Sequence, residues 1–141
     1  MGQRSDSTYD STFPFVDRDG TFHPQGVTTE VISTAVNYAL DRDDSGKVVI
    51  VTAADKVVTL PATEEGLVYT IVTGAVSSTT GLSVSPAAAD QIIGLGITAA
   101  DNKDLINTQA TERVGDSVTL VGNGSTGWLA INASGTWARE A

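Results

Sequence analysis

Cysteine is absent from the 141 residues, so neither disulfide stapling nor thiolate chemistry is available to this chain. Histidine occurs once, at His23, which leaves nucleophilic triads and multi-histidine metal sites without material. Positive charge is scarce: eight Lys and Arg stand against seventeen Asp and Glu, a net charge of −9. A field of that sign repels phosphate backbones and anionic membrane surfaces, so neither nucleic acid nor a membrane is an expected partner. No apolar run is long enough to span a bilayer. The first residues, Met1-Gly2-Gln3-Arg4-Ser5-Asp6, lack the apolar stretch of a signal peptide and the hydroxyl residue of a myristoylation motif. Synthesis in the cytoplasm is the expectation.

Phenylalanine is missing from most of the chain. All three (Phe13, Phe15, Phe22) fall within the first 26 residues, beside Tyr9 and His23. That segment is otherwise polar, with turn signals at Asp19-Gly20 and Pro24-Gln25-Gly26. Few aliphatics and several aromatic anchors suit docking onto a preformed surface better than folding alone. We read residues 1–26 as an extended N-terminal arm, with Tyr9, Phe13, Phe15 and Phe22 as its partner-binding residues. The surface they grip is either another protein, a sister subunit or the arm's own domain.

Residues 27–141 are a succession of short β-type runs without a convincing amphipathic helix. Val48-Val49-Ile50-Val51-Thr52 and Val57-Val58-Thr59-Leu60 flank Ala54-Asp55-Lys56 and predict a hairpin. Leu67 to Val72 predicts the next strand. Leu82-Ser83-Val84-Ser85 alternates until Pro86, and a helical turn is allowed over Pro86 to Gln91. Short strands at Ile92-Ile93 and Asp104 to Asn107 come next. The last third reads strand, glycine turn, strand, glycine turn, strand: Val114 to Val121, Trp128 to Ile131, and the run closing on Trp137. Where Gly115-Asp116 re-enters the sheet, Asp116 can accept nearby backbone amides in an Asx-type turn. Val118 and Leu120 share one face, and Trp128 and Ala130 oppose Leu129 and Ile131. Eight or nine strands about ten residues apart predict an all-β fold, an antiparallel β-sandwich or jelly roll.

Two motifs resemble ligand loops. Asp41-Arg42-Asp43-Asp44-Ser45-Gly46 matches the opening of a calcium loop, but Thr52 stands where a bidentate Glu belongs and Lys47 adds positive charge. It reads as a solvated acidic turn. Gly122-Asn123-Gly124-Ser125-Thr126-Gly127 has dinucleotide-fingerprint spacing, yet Trp128-Leu129-Ala130-Ile131 continues as a strand where a helix is required. It reads as a hairpin turn. Glu64-Glu65 are adjacent and diverge in an extended chain. No catalytic residue, cofactor or metal is assigned. Trp128 and Trp137 each combine a large apolar area with one N–H and are expected to anchor the core or a subunit interface.

Three passages carry a resemblance: Val57-Val58-Thr59-Leu60-Pro61-Ala62-Thr63 through Gly66-Leu67-Val68-Tyr69-Thr70-Ile71-Val72; Ala88-Ala89-Asp90-Gln91-Ile92-Ile93-Gly94; and Val114-Gly115-Asp116-Ser117-Val118-Thr119-Leu120 through Gly127-Trp128 to Gly135-Thr136-Trp137. Over residues 45 to 139 the chain resembles small virion structural proteins of tailed bacteriophages, most of all capsid decoration (head-stabilisation) proteins. The resemblance implies a β-rich homotrimer on the exterior of the capsid, with the major capsid protein as partner. A receptor- or carbohydrate-binding module of a fibre or tail, with Trp128 or Trp137 stacking on a sugar, is the alternative.

Overall fold

Valine, isoleucine and threonine at alternate positions set the strands, because β-branched side chains pack well on a pleated surface. In the computed structural model these strands stack in two layers. The structure describes residues 29–141, together with the backbone of Phe15–Val16 (β1) and Phe22–His23 (β2). Strands β1 and β2 pair antiparallel, Phe15 opposite His23 and Val16 opposite Phe22. The expected boundary at Gly26, and Tyr9 and Phe13, lie outside the described residues, as do the side chains of Phe15 and Phe22.

The remaining strands are β3 (Val31–Thr34), β4 (Tyr38–Ala39), β5 (Val48–Val51), β6 (Val57–Thr59), β7 (Val68–Thr73), β8 (Ser83–Ser85), β9 (Gln91–Ile93), β10 (Leu105–Asn107), β11 (Ser117–Gly122), β12 (Gly127–Ser134) and β13 (Trp137–Arg139). They form a six-stranded sheet in the order β3-β5-β7-β11-β12-β9 and a five-stranded sheet in the order β13-β10-β8-β6-β4. The fold is all-β, a two-layer sandwich. Instead of the helical turn allowed over Pro86 to Gln91 there is one tight turn, closed by the Asp90 amide on the Ala87 carbonyl at 2.8 Å.

The pairing corrects the expectation of a wholly antiparallel sandwich. From β3 to β11 the chain changes sheet at every connection. Consequently β3, β5 and β7 run parallel to one another, as do β4, β6 and β8, and β9 runs parallel to β12. The first part of the domain winds as a flattened coil, and antiparallel pairing enters with β10 to β13. The hairpin expected over Val48–Leu60 is therefore an arch: β5 and β6 face each other across the core and share no ladder. Asp55, at φ 56°, turns the chain between layers, and neighbouring arches bind one another. The Thr52 amide donates to the Thr34 carbonyl at 2.7 Å, and the Gly74 amide to the Val51 carbonyl at 2.8 Å. The Val57 amide donates to the Asn37 side chain at 3.0 Å.

The core fills from both layers. Val49, Val51, Tyr69, Ile71, Val118, Leu120 and Trp128 meet Val58, Val84, Leu105 and Trp137, all buried. Tyr69 and Trp128 are in ring contact, centroids 5.4 Å apart. The expected C-terminal hairpin forms between β11 and β12. Its register slips between Thr119, opposite Asn132, and Leu120, opposite Ala130, so that Ile131 bulges out.

Candidate functional site

The residues singled out from sequence go to different places. Trp128 is fully buried and Trp137 is 7% exposed, so both are core anchors. The Trp137 indole N–H donates to the Ser134 carbonyl at 2.9 Å. Neither ring offers a face for a sugar to stack on, which removes the platform expected of the carbohydrate-binding alternative. The side chains of the four arm aromatics, Tyr9, Phe13, Phe15 and Phe22, lie outside the described residues.

The acidic turn is engaged in its own structure. Asp41 caps a short 3-10 turn, Arg42–Asp44, in a reciprocal capping box with Asp44. Asp44 is buried; it accepts the Asp41 amide at 3.2 Å and the Tyr38 hydroxyl at 3.3 Å. Lys47 lies 3.4 Å from Asp44, and this hydrogen bond raises the lysine's affinity for its proton. Tyr38 is also pushed up, first by burial and then by the Asp44 charge. Among the described residues no group of three or more His, Cys, Asp or Glu is arranged to hold a metal ion.

The glycine-rich turn serves packing. The Asn123 side chain accepts the amides of Ser125, Thr126 and Gly127 at 2.9 to 3.0 Å. A Cβ on Gly122 would lie 2.2 Å from the Glu64 carbonyl oxygen, and one on Gly127 2.0 Å from that of Gln91. The glycines let the β11–β12 turn lie against the Pro61–Gly66 link and β9. Glu64 is used as well, in an ion pair with Arg42.

Three carboxylates hold links in place, and sequence reasoning passed over two of them, Asp55 and Glu112. Asp55 accepts the amides and hydroxyls of the Ser78–Thr80 loop. These bonds, the Thr80 amide foremost, hold its carboxyl well below the usual range against an opposing desolvation. Glu112, buried, accepts the amides of Ser77 and of Leu82, the latter at 2.9 Å. Asp116 accepts the Arg113 amide at 2.8 Å, so the bond it makes runs back along the chain. It also accepts the side chain of buried Asn107 at 3.1 Å, and Asn107 donates in turn to Thr73 at 3.0 Å. Each of the three carboxylates is engaged by backbone amides. An open cleft of about 310 Å³ lies against Leu95, Ala133, Gly135, Thr136 and Trp137, and no lining residue is titratable.

The surface feature that stands out is the outward face of the six-stranded sheet. Register aligns Val68, Val121, Leu129 and Ile93 in one row across four strands. A second row runs Val31, Val48, Thr70, Thr119, and a third Ser33, Ile50, Val72, Ser117. Leu129 is 40% exposed and the bulged Ile131 62% exposed. No outward position on these strands carries a charge. No protein-family model matches the chain, and no curated protein matches it significantly.

Proposed function

We propose that the protein is a structural component of a phage particle, a capsid decoration protein that binds the outside of the mature head and cements neighbouring coat subunits, as a homotrimer. The supporting observation is a closed sandwich whose interior acids are all spent on backbone amides, carrying at its N-terminus a segment rich in aromatics. The described residues build a core running from Leu40 to Trp137, and we assign the partner contact to Tyr9, Phe13, Phe15 and Phe22. The resemblance of residues 45 to 139 to virion proteins supplies the context, and the acidic charge suits an outward-facing element.

The mechanism is differential binding. Contacts spanning two coat subunits exist only in the assembled shell, so each bound copy stabilises that state by mass action. Three linked copies gain avidity from individually weak contacts.

The test is cosedimentation of the full chain with mature or expanded capsids lacking it, followed by imaging. Saturable occupancy of capsid three-fold positions, with greater resistance to heat or osmotic shock, is the expected result. Replacing Tyr9, Phe13, Phe15 and Phe22 together by Ala should abolish binding and leave the sandwich folded. Binding only at the tail would transfer the reading to a fibre or receptor-binding module.

A further inference from the structure

We infer that the outward face of the six-stranded sheet is the surface through which copies of this chain associate, packing sheet against sheet. The two outer faces of the sandwich differ in kind. The outward positions of the five-stranded sheet are mostly small, Ala39, Thr59, Ser83, Ser85 and Ala138, with Val57 and Ile106 the large aliphatics there, and Ser83 is itself buried and bonded to Asp104. The six-stranded sheet presents its valine and isoleucine rows, relieved only by Thr, Ser, Asn and Gln. Contiguous exposed apolar rows set among polar residues mark association surfaces.

Charge selects the occupant. Two copies each carrying −9 repel one another wherever acids face acids. A face without Asp or Glu is where they can approach without burying like charges. The same face offers no acceptor set for a cationic partner and no basic group for an anionic one. Its chemistry, aliphatic with interspersed hydroxyls, complements itself.

Its size is also suitable. Six strands at about 4.8 Å spacing, with two outward positions on β3, β5 and β9 and three or more on β7, β11 and β12, give roughly 24 Å by 10 to 20 Å, on the order of 350 Å². That equals the largest apolar patch of a typical monomer and about half of what each partner gives to a standard interface of roughly 800 Å². The association is therefore expected to be weak and to depend on concentration. It does not rest on the virion reading: a chain that binds no capsid would still self-associate through this face.

The experiment is sedimentation velocity of the full chain over low to high micromolar concentration, beside Val72→Lys, Ile131→Lys and, on the opposite face, Thr59→Lys. Circular dichroism checks that each variant is folded. The expected result is an oligomer for the parent chain and for Thr59→Lys, and its loss in Val72→Lys and Ile131→Lys. A second readout uses the absence of native cysteine. The thiol of Thr119→Cys, at the centre of the face, should react with maleimide slowly when the protein is concentrated and faster on dilution. That of Thr59→Cys should react equally at both concentrations. A parent chain monomeric throughout, or an oligomer that survives both lysines, overturns the inference. So does a Thr119→Cys thiol protected at every concentration in a monomer, which would assign the face to the chain's own arm. A Thr119→Cys thiol always reactive in solution and protected only on capsids would assign the face to coat protein and overturn the inference equally.

Discussion

The Asp55 carboxylate accepts the backbone amide of Thr80 at 2.8 Å, 25 residues further along the chain. The bond joins two successive arches of the coil, one leading from β5 to β6 and the other from β7 to β8. Asp55 also donates its own amide to the Ser77 hydroxyl at 3.1 Å, so one residue ties the loop from both sides.

This staple makes stability depend on acid. Hydrogen bonds from the Thr80, Ser78 and Thr79 amides and the Ser78 hydroxyl depress the carboxyl's folded value; a free Asp titrates at about 3.9. Its contribution is therefore fully present above that unfolded value and is lost as pH falls towards the lower folded one. Asp55→Asn should lower the urea midpoint at pH 7. It should also flatten the fall in midpoint between about pH 4 and strong acid relative to the parent chain. Parallel acid limbs in the two proteins would count against the staple.

Tyr69 makes the opposite prediction. Burial first, then the charges of Asp44 and Asp41, push its hydroxyl up to about 12. It donates to the Asp41 carbonyl at 2.6 Å. Because the folded value is raised, its contribution is complete below about 10, the free tyrosine value, and is lost as pH rises through the folded one. Tyr69→Phe should cost about 0.5 to 1.5 kcal/mol at neutral pH for the lost hydrogen bond. Urea midpoints measured from about pH 9 to 12 should fall less in Tyr69→Phe than in the parent.

Trp128 tests the core directly. It is fully buried against Tyr69, so Trp128→Ala should destabilise by about 3 to 5 kcal/mol, the range for a buried aromatic. Thermal melts and denaturant titrations would read the loss. A change below about 1 kcal/mol would mean that the ring is not packed into the core.

Gly127 and Gly66 separate close approach from backbone strain. Both have positive φ, 147° and 89°. A Cβ at Gly66 meets nothing within 4 Å, while one at Gly127 would lie 2.0 Å from the Gln91 carbonyl oxygen. Gly66→Ala should therefore cost about 1 to 2 kcal/mol, for the left-handed conformation alone. Gly127→Ala should cost more and loosen the pairing of β9 with β12, seen as faster amide exchange at Ile92 and Ile93.

The alternation of apolar residues is readable along the chain wherever strands are half-buried. Val118 and Leu120 are inward and Leu129 and Ile131 outward, as the period of two requires. Partner choice is not readable. Val49 and Val51 alternate in the same way whether β5 returns on β6 in a hairpin or crosses the core to face it. The arch is tied by Asp55, whose carboxylate binds a loop that no local window contains. Nor is the coil visible as a repeat, because links of unequal length separate β3, β5 and β7. The calcium-like turn shows the converse: Asp41, Asp43 and Ser45 have the right types and spacing for a ligand loop, but Asp41 caps its own turn together with Asp44, and the Ser45 hydroxyl accepts the Val68 amide.

By itself the sequence determined the all-β class, the hairpin turn at Gly122–Gly127 and the absence of thiol or multi-histidine chemistry, because these rest on residue types and short-range periodicity. The tertiary structure decided the parallel winding and the burial of both tryptophans. It also engaged Asp55, Glu112 and Asp116 with backbone amides, and assembled the charge-free rows on the six-stranded sheet. Each of these depends on which distant strand lies alongside, and that is set by packing two layers around one core.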